Sequence, residues 1–144
     1  MQYLLRLDYG KPFFAINNAA YSVVTDNALP YNQWSHVAGV LYGTNLKIYV
    51  NGKLEKSAAA PAGTLISFDP AYPQRIGSSH VPEEYFTGQI DEVRIWTTER
   101  TQTEIQNSMY NELTSNQSEL VAYFPFRNPD FGPINNFPGT PATL

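Results

Sequence analysis

The stretch Tyr85–Ile105, YFTGQIDEVRIWTTERTQTEI, changes its hydrophobic period halfway along. Up to Trp96 it reads as a half-buried strand with period two. Ile90 faces one way, and Val93 and Ile95 face the other. The adjacent carboxylates Asp91 and Glu92 sit where the parity shifts. Beyond Trp96, Thr101-Gln102-Thr103-Glu104 fits a capping box, in which the Thr hydroxyl and the Glu carboxylate each satisfy a free backbone N–H. Ile105 and Met109 then fall at i and i+4, so the spacing predicts one short helix near 101–111. Whether the two acids are catalytic, metal-binding or structural separates an enzyme from a binding module.

Working outward, the rest of the chain reads as strands. QYLLRLDYG is a strand ending at Gly10, followed by FFAINN and AYSVVTD with Asn17-Asn18 suited to the turn between them. In WSHVAGVLY, Trp34, His36, Ala38, Val40 and Tyr42 share one face, and Val37, Gly39 and Leu41 share the other. Both faces are apolar, which marks a strand covered on both sides. In NLKIYVNGKLEKSA, Asn51-Gly52 accepts positive φ at both positions, as a type I′ hairpin turn requires. QRIGSS reads as a short strand, TLIS as another within a long loop, and ELVAYFPF as the last clear strand. Pro and Gly interrupt residues 127–144 at intervals that forbid a long ladder, leaving an extended Pro-rich tail after a domain of residues 1–126. Eight or nine short strands and one helix make an all-β chain, an antiparallel two-sheet sandwich.

Composition excludes some functions. A chain of 144 residues is long enough for a core in one domain. Its net charge of −4, with no Lys/Arg run, argues against a nucleic-acid partner. No cysteine is present, so no disulfide staples the fold. No apolar run reaches membrane-spanning length. Arg6 and Asp8 interrupt the place where a secretory h-region would lie, so no signal peptide is expected in this chain.

Four pieces in order, WSHVAGVLYGTNLKIYVNGKLEKSAA, RIGSS, FTGQIDEVRIWTTERTQTEI and ELVAYFPF, resemble the laminin-G-like, concanavalin A-like lectin and glucanase superfamily. The resemblance covers about two-thirds of the chain, from Trp34 to Phe126. It implies a jelly-roll sandwich of two packed antiparallel sheets. It also implies a carbohydrate- or protein-binding module of surface, matrix or multidomain proteins, often holding Ca²⁺. The family's usual first strands have no counterpart here, which leaves room for a neighbouring subunit or a second copy to complete the sheet.

The same fold houses glucanases whose catalytic strand carries Glu-x-Asp-x-Glu, alternate acids projecting into one cleft. Here Gln89 stands at the nucleophile position, and Val93 or Arg94 at the proton donor's. Neighbouring acids on a strand point to opposite faces. Asp91 and Glu92 therefore make no catalytic pair, and no catalytic residue is assigned. Asp91 reads as a carboxylate accepting N–H groups where the ladder is interrupted, or as a ligand of a Ca²⁺ ion, which needs six to eight oxygens. Glu92 reads as a solvent-facing, cross-strand partner of a Lys or Arg. His36 reads as a hydrogen-bonded core residue; with His80 as the other histidine, no zinc spacing arises. The ligand surface is assigned to loop aromatics and acids: Tyr31, Phe68, Asp69, Tyr72, Glu83 and Tyr85. Tyrosine offers a flat face to sugar C–H groups and a hydroxyl to hydrogen-bond.

The expectation is a non-catalytic module that recognises a glycan or a protein surface, with Ca²⁺ as its one candidate cofactor, in an extracellular, surface or virion-associated setting. The alternative is a structural assembly subunit acting through oligomer contacts. A glycoside hydrolase comes third.

Overall fold

Tyr9 and Gly10, with φ of 49° and 78°, form the two-residue turn that folds strand β1 (Tyr3–Asp8) back on β2 (Lys11–Ile16), Asp8 opposite Lys11. The computed structural model describes residues 3–17, 19–62, 74–79, 81–114 and 117–126. The chain forms two units, the first drawn from Met1–Pro73 and Glu99–Tyr110, the second from Gln74–Thr98 and Asn111–Leu144. The expected tail, 127–144, lies outside the described residues, as does TLIS.

In the first unit, β1, β2 and β3 (Tyr21–Val24) make one antiparallel sheet in the order β1-β2-β3. A second sheet, β4-β5-β6, joins β4 (Val37–Tyr42), β5 (Asn45–Val50) and β6 (Lys53–Ala59). Directly opposed residues share a face, so Tyr3, Leu5 and Leu7 line up with Ile16, Phe14 and Pro12, and Phe14 with Val23. This is the inner face. Phe14, Ile16 and Val23 meet Leu46, Ile48 and Ala60 in one buried cluster. Gly39 is the point of closest approach: a Cβ there would stand 2.4 Å from the Phe14 ring.

The opposite face of the second sheet is buried under helix α1 (Gln102–Ser108), where Ile105 packs on Val40 and Tyr49. Both faces of β4 and β5 are therefore covered, as the two apolar stripes of WSHVAGVLY require. The strand begins at Val37, not at Trp34. The Asn51 side chain takes the His36 N–H at 2.9 Å, and the His36 carbonyl accepts the Asn51 N–H at 2.8 Å, which closes the ladder there. Asn51 and Gly52 have the expected positive φ, 48° and 73°.

The helix is tied to this sheet at both ends. Gln106 donates to the Gly52 carbonyl at 2.9 Å, the Leu54 N–H donates to Gln102 at 3.3 Å, and Lys47 pairs with Glu99 at 3.0 Å. The capping box is present: the Glu104 N–H reaches Thr101 Oγ1 at 3.3 Å and the Thr101 N–H reaches Glu104 Oε2 at 2.8 Å. The helix stops at Ser108, short of the expected Asn111, because Tyr110 is exposed and offers nothing to bury.

In the second unit, β7 (Val93–Trp96) pairs antiparallel with β8 (Leu120–Phe124). QRIGSS is not a strand; a single bridge between Ser78 and Tyr85 is all the ladder there. The all-β, antiparallel expectation with one short helix holds. Among the described residues its sheets are two of three strands and one of two.

Two substitutions probe this frame. Gly39→Ala should cost about 1–3 kcal/mol by overpacking against Phe14, read from the urea midpoint. A cost below about 0.5 kcal/mol would show that the sheets are not in contact there. Hydrogen bonds from Thr101, and then the charge of Arg100, hold the Glu104 carboxyl below its ordinary value of 4.5. A carboxyl depressed in the folded state stabilises above its unfolded pKa and loses that contribution as pH falls through the folded one. The gap in Tm between the chain and Glu104→Gln should be widest above pH 4.5 and close below it.

Candidate functional site

The acids of QIDEVRIW are engaged within the second unit. Asp91 is exposed, and its Oδ1 accepts the N–H of Glu92 at 2.8 Å. That bond accompanies a left-handed backbone at Glu92, with φ of 53°. The ladder begins only after it, at Val93, and its register shift lies between Ile95 and Trp96 rather than at Asp91. Asp91 thus takes a backbone N–H ahead of the strand, not at a bulge within it.

Glu92 does not face solvent across a ladder. Its half-buried carboxylate accepts Arg94 Nη2 at 2.6 Å, from the same strand. The hydroxyl of Tyr123 lies 2.8 Å from both its oxygens. Tyr123 is opposite Arg94 in the ladder, and the guanidinium carbon stands 5.5 Å from its ring centre. The Tyr123 oxygen in turn accepts the Leu113 N–H at 3.3 Å, and Arg94 donates to the Asn111 carbonyl. Each group here has a partner of opposite polarity, which makes the cluster a brace between β7, β8 and the segment from Asn111 to Leu113.

Calcium fits this place poorly. Among the described residues, no three His, Cys, Asp or Glu side chains converge in a group able to hold a metal ion. One carboxylate supplies at most two of the six to eight oxygens the ion takes.

The first unit carries a different kind of surface. β3 ends, and β4 begins, at the end of the sandwich that bears the β1–β2 turn and the Asn51-Gly52 turn. The connection between them, residues 25–36, is fastened to both turns. The Thr25 N–H donates to the Pro12 carbonyl at 3.0 Å and the Leu29 N–H to the Gly10 carbonyl at 2.8 Å, while His36 meets Asn51. Buried Thr25 also donates its hydroxyl to the Asn27 carbonyl at 2.8 Å. Lys56 bonds to Asp26 and holds that carboxyl below its ordinary range. On these fastened segments stand Tyr9, Tyr31 and Trp34, which are 97%, 89% and 65% exposed. Burying rings of this size would be favourable, and these three are left in water on segments held by backbone hydrogen bonds.

Of the residues expected to bind ligand, Tyr31 lies in this group. Glu83 and Tyr85 are exposed in the second unit, Glu83 at φ 68° and Tyr85 next to its bridge with Ser78. Phe68, Asp69 and Tyr72 lie outside the described residues, as does His80. Tyr9 and Trp34 were hidden in the sequence by their neighbours. Tyr9 reads as the end of a strand and Trp34 as a core position in phase with His36 and Ala38. The signal for Tyr9 was Tyr9-Gly10 itself, a turn pair that puts the ring at a hairpin tip.

Residues 2–106 match a laminin-G-type family described as the concanavalin A-like lectin/glucanases superfamily, and the chain belongs to it. A solved structure from Bacteroides ovatus, described as that of a proposed carbohydrate binding protein, is similar with a TM-score of 0.69 and 22% identity. The similarity covers 86% of this chain and 38% of that one, and at this identity it is a likeness of fold. A solved S-layer domain-containing protein from Clostridium thermocellum gives a TM-score of 0.46 at 25% identity, over 68% of this chain and 51% of that one. The chain thus spans well under two-thirds of the length of either. No curated protein matches it. No helix among the described residues is long and apolar enough to cross a membrane.

If the Glu92 cluster is a brace, Tyr123→Phe should destabilise the chain by about 1–3 kcal/mol, because it removes the hydroxyl between a half-buried carboxylate and the partly buried Leu113 N–H. Thermal denaturation reads this directly. An unchanged Tm would show that water replaces the hydroxyl without loss.

Proposed function

We propose that this concanavalin A-like domain is a non-catalytic recognition module that binds carbohydrate through the aromatic end of its first unit. The observation that carries the proposal is the exposure of Tyr9, Tyr31 and Trp34 on loops fixed by backbone hydrogen bonds. A flat ring offers its face to the C–H side of a pyranose and loses little side-chain freedom on binding. Asp26, Asn27 and Asn32 lie on the same connection and supply carboxylate and amide groups able to pair with sugar hydroxyls. The superfamily includes lectins, and the Bacteroides ovatus structure of like fold is described as that of a proposed carbohydrate binding protein.

The lack of catalysis rests on the acids. Gln89 stands where the glucanase nucleophile would be and Arg94 or Val93 where the proton donor would be. Glu92 is committed to Arg94 and Tyr123, and Asp91 to a backbone N–H. A surface, extracellular or virion-associated setting is the finer form of the reading, which family membership favours; calcium at Asp91 would be a separate site in the second unit, where Asp91 supplies at most two of the six to eight oxygens. Tyr85 and Glu83 form a secondary candidate surface in the second unit.

A glycan array followed by calorimetry on any hit tests the proposal, with and without a chelator. Trp34→Ala and Tyr31→Ala should each weaken binding about tenfold. Asp91→Asn and Tyr85→Ala should change it by less than about threefold, and chelator should weaken it only if calcium takes part. Glycan binding that survives loss of all three rings would overturn this surface. Hydrolysis of a β-glucan, lost in Asp91→Asn, would overturn the non-catalytic reading.

A further inference from the structure

Of the four edge strands that the first unit's two sheets show among the described residues, β1 and β6 are finished differently. β6 carries Lys53, Glu55 and Lys56 along an exposed strand, and its pairing with β5 slips between Ile48 and Tyr49. Charge and a broken register are what keep a sheet edge from pairing with another chain. β1 is regular over all six residues, and among the described residues no strand pairs with its outer side. Leu5 and Leu7 lie on the face that elsewhere forms the sandwich core, yet they are 46% and 39% exposed. A regular free edge with apolar side chains on its core-facing side is unfinished as a surface.

We infer that β1 pairs antiparallel with β1 of a second copy of this chain, about a two-fold axis at Leu7. The register follows from the side chains. For the inner faces of two copies to remain continuous, leucines must oppose odd-numbered residues, so paired positions sum to an even number. Centring on Arg6 would set two guanidinium groups against each other. Centring on Leu5 would place Arg6 opposite Leu4. Centring on Leu7 sets Leu7 against Leu7 and each Arg6 against Asp8 of the other copy. Arg6 and Asp8 already stand on one face, 4.0 Å apart and nearly half exposed, so two copies would form an alternating square of four charges. The interface is isologous, and a two-fold axis supplies both ion pairs from one. Backbone N–H and C=O groups of β1 gain partners, and the leucines leave water. The contact lies on the side of β1 away from β2; it sets Leu5 opposite Tyr9 of the other copy, so Tyr9 is shared between the two surfaces, and it leaves Tyr31 and Trp34 out of the pairing.

Light scattering and sedimentation of the whole chain across a concentration series test this. A dimer is expected, weakened about tenfold or more by Arg6→Asp or Asp8→Arg alone, since each change sets two pairs of like charges opposite one another. The double variant Arg6→Asp/Asp8→Arg should recover the dimer, because it inverts the square without breaking it. Leu7→Lys should give a monomer whose circular dichroism matches that of the parent chain. Arg6 also stands 4.8 Å from the Phe13 ring centre, so the Tm of each variant separates loss of pairing from loss of fold. A monomer at every concentration would overturn the inference. So would a dimer indifferent to the charge swap. A monomer whose Leu5 and Leu7 amides resist hydrogen exchange would overturn it too, by assigning the edge to another segment of the same chain.

Discussion

The Phe14 ring on the backbone of Gly39 sets the spacing on which the first unit depends. Aromatic bulk from one sheet is matched by the absence of a side chain on the other. That lets Ile16, Val23, Leu46 and Ile48 close around them in a small core. Once β4 lies against the first sheet through Gly39, its alternate residues, Ala38 and Val40, must face away. They would be exposed without the helix. The capping box starts α1 where Ile105 lands on Val40 and Tyr49. One glycine thus fixes a three-layer order of sheet, sheet and helix.

The same order fixes the loops. Two tight turns with left-handed residues, Tyr9-Gly10 and Asn51-Gly52, end their hairpins at the end of the sandwich where the 25–36 connection passes. That connection has no ladder of its own, so its backbone groups find partners in the turns: Leu29 on Gly10 and His36 on Asn51. The rings of Tyr9, Tyr31 and Trp34 stand on segments held by these bonds rather than on free loops. A segment whose backbone is already held has less conformational entropy to lose if its rings bind a ligand, as proposed.

Much of this frame was legible because its signals are local. Asn51-Gly52 dictates a turn by what its φ angles permit, Thr101 to Glu104 a helix start by four adjacent side chains, and WSHVAGVLY two covered faces by its alternation. What was not legible depends on where an element stops. Trp34 is in phase with the buried stripe of β4, and only the Asn51 side chain, closing the ladder at His36, puts it outside. Glu92 looked like a surface acid because alternation was extended through it. Its positive φ breaks the alternation, and Tyr123, thirty-one positions away, accounts for its burial. Period-two reasoning assumes an extended backbone, and a single left-handed residue voids it.

The fate of the two acids shows how one fold can serve catalysis or recognition. A glycosidase needs carboxylates that are free, on one face, and a few ångströms apart across a cleft. Here Gln89 and either Val93 or Arg94 occupy the positions where such acids would stand, and Asp91 and Glu92 are engaged in local hydrogen bonds. A guanidinium in a proton donor's place, largely shielded from water, must be neutralised nearby. Glu92 does that two residues before it, in a backbone conformation that Asp91 stabilises through the Glu92 N–H. Under the proposed recognition role the contact surface lies elsewhere on the fold, and the exposed rings of the first unit stand on loops, where a sandwich can vary without disturbing its core.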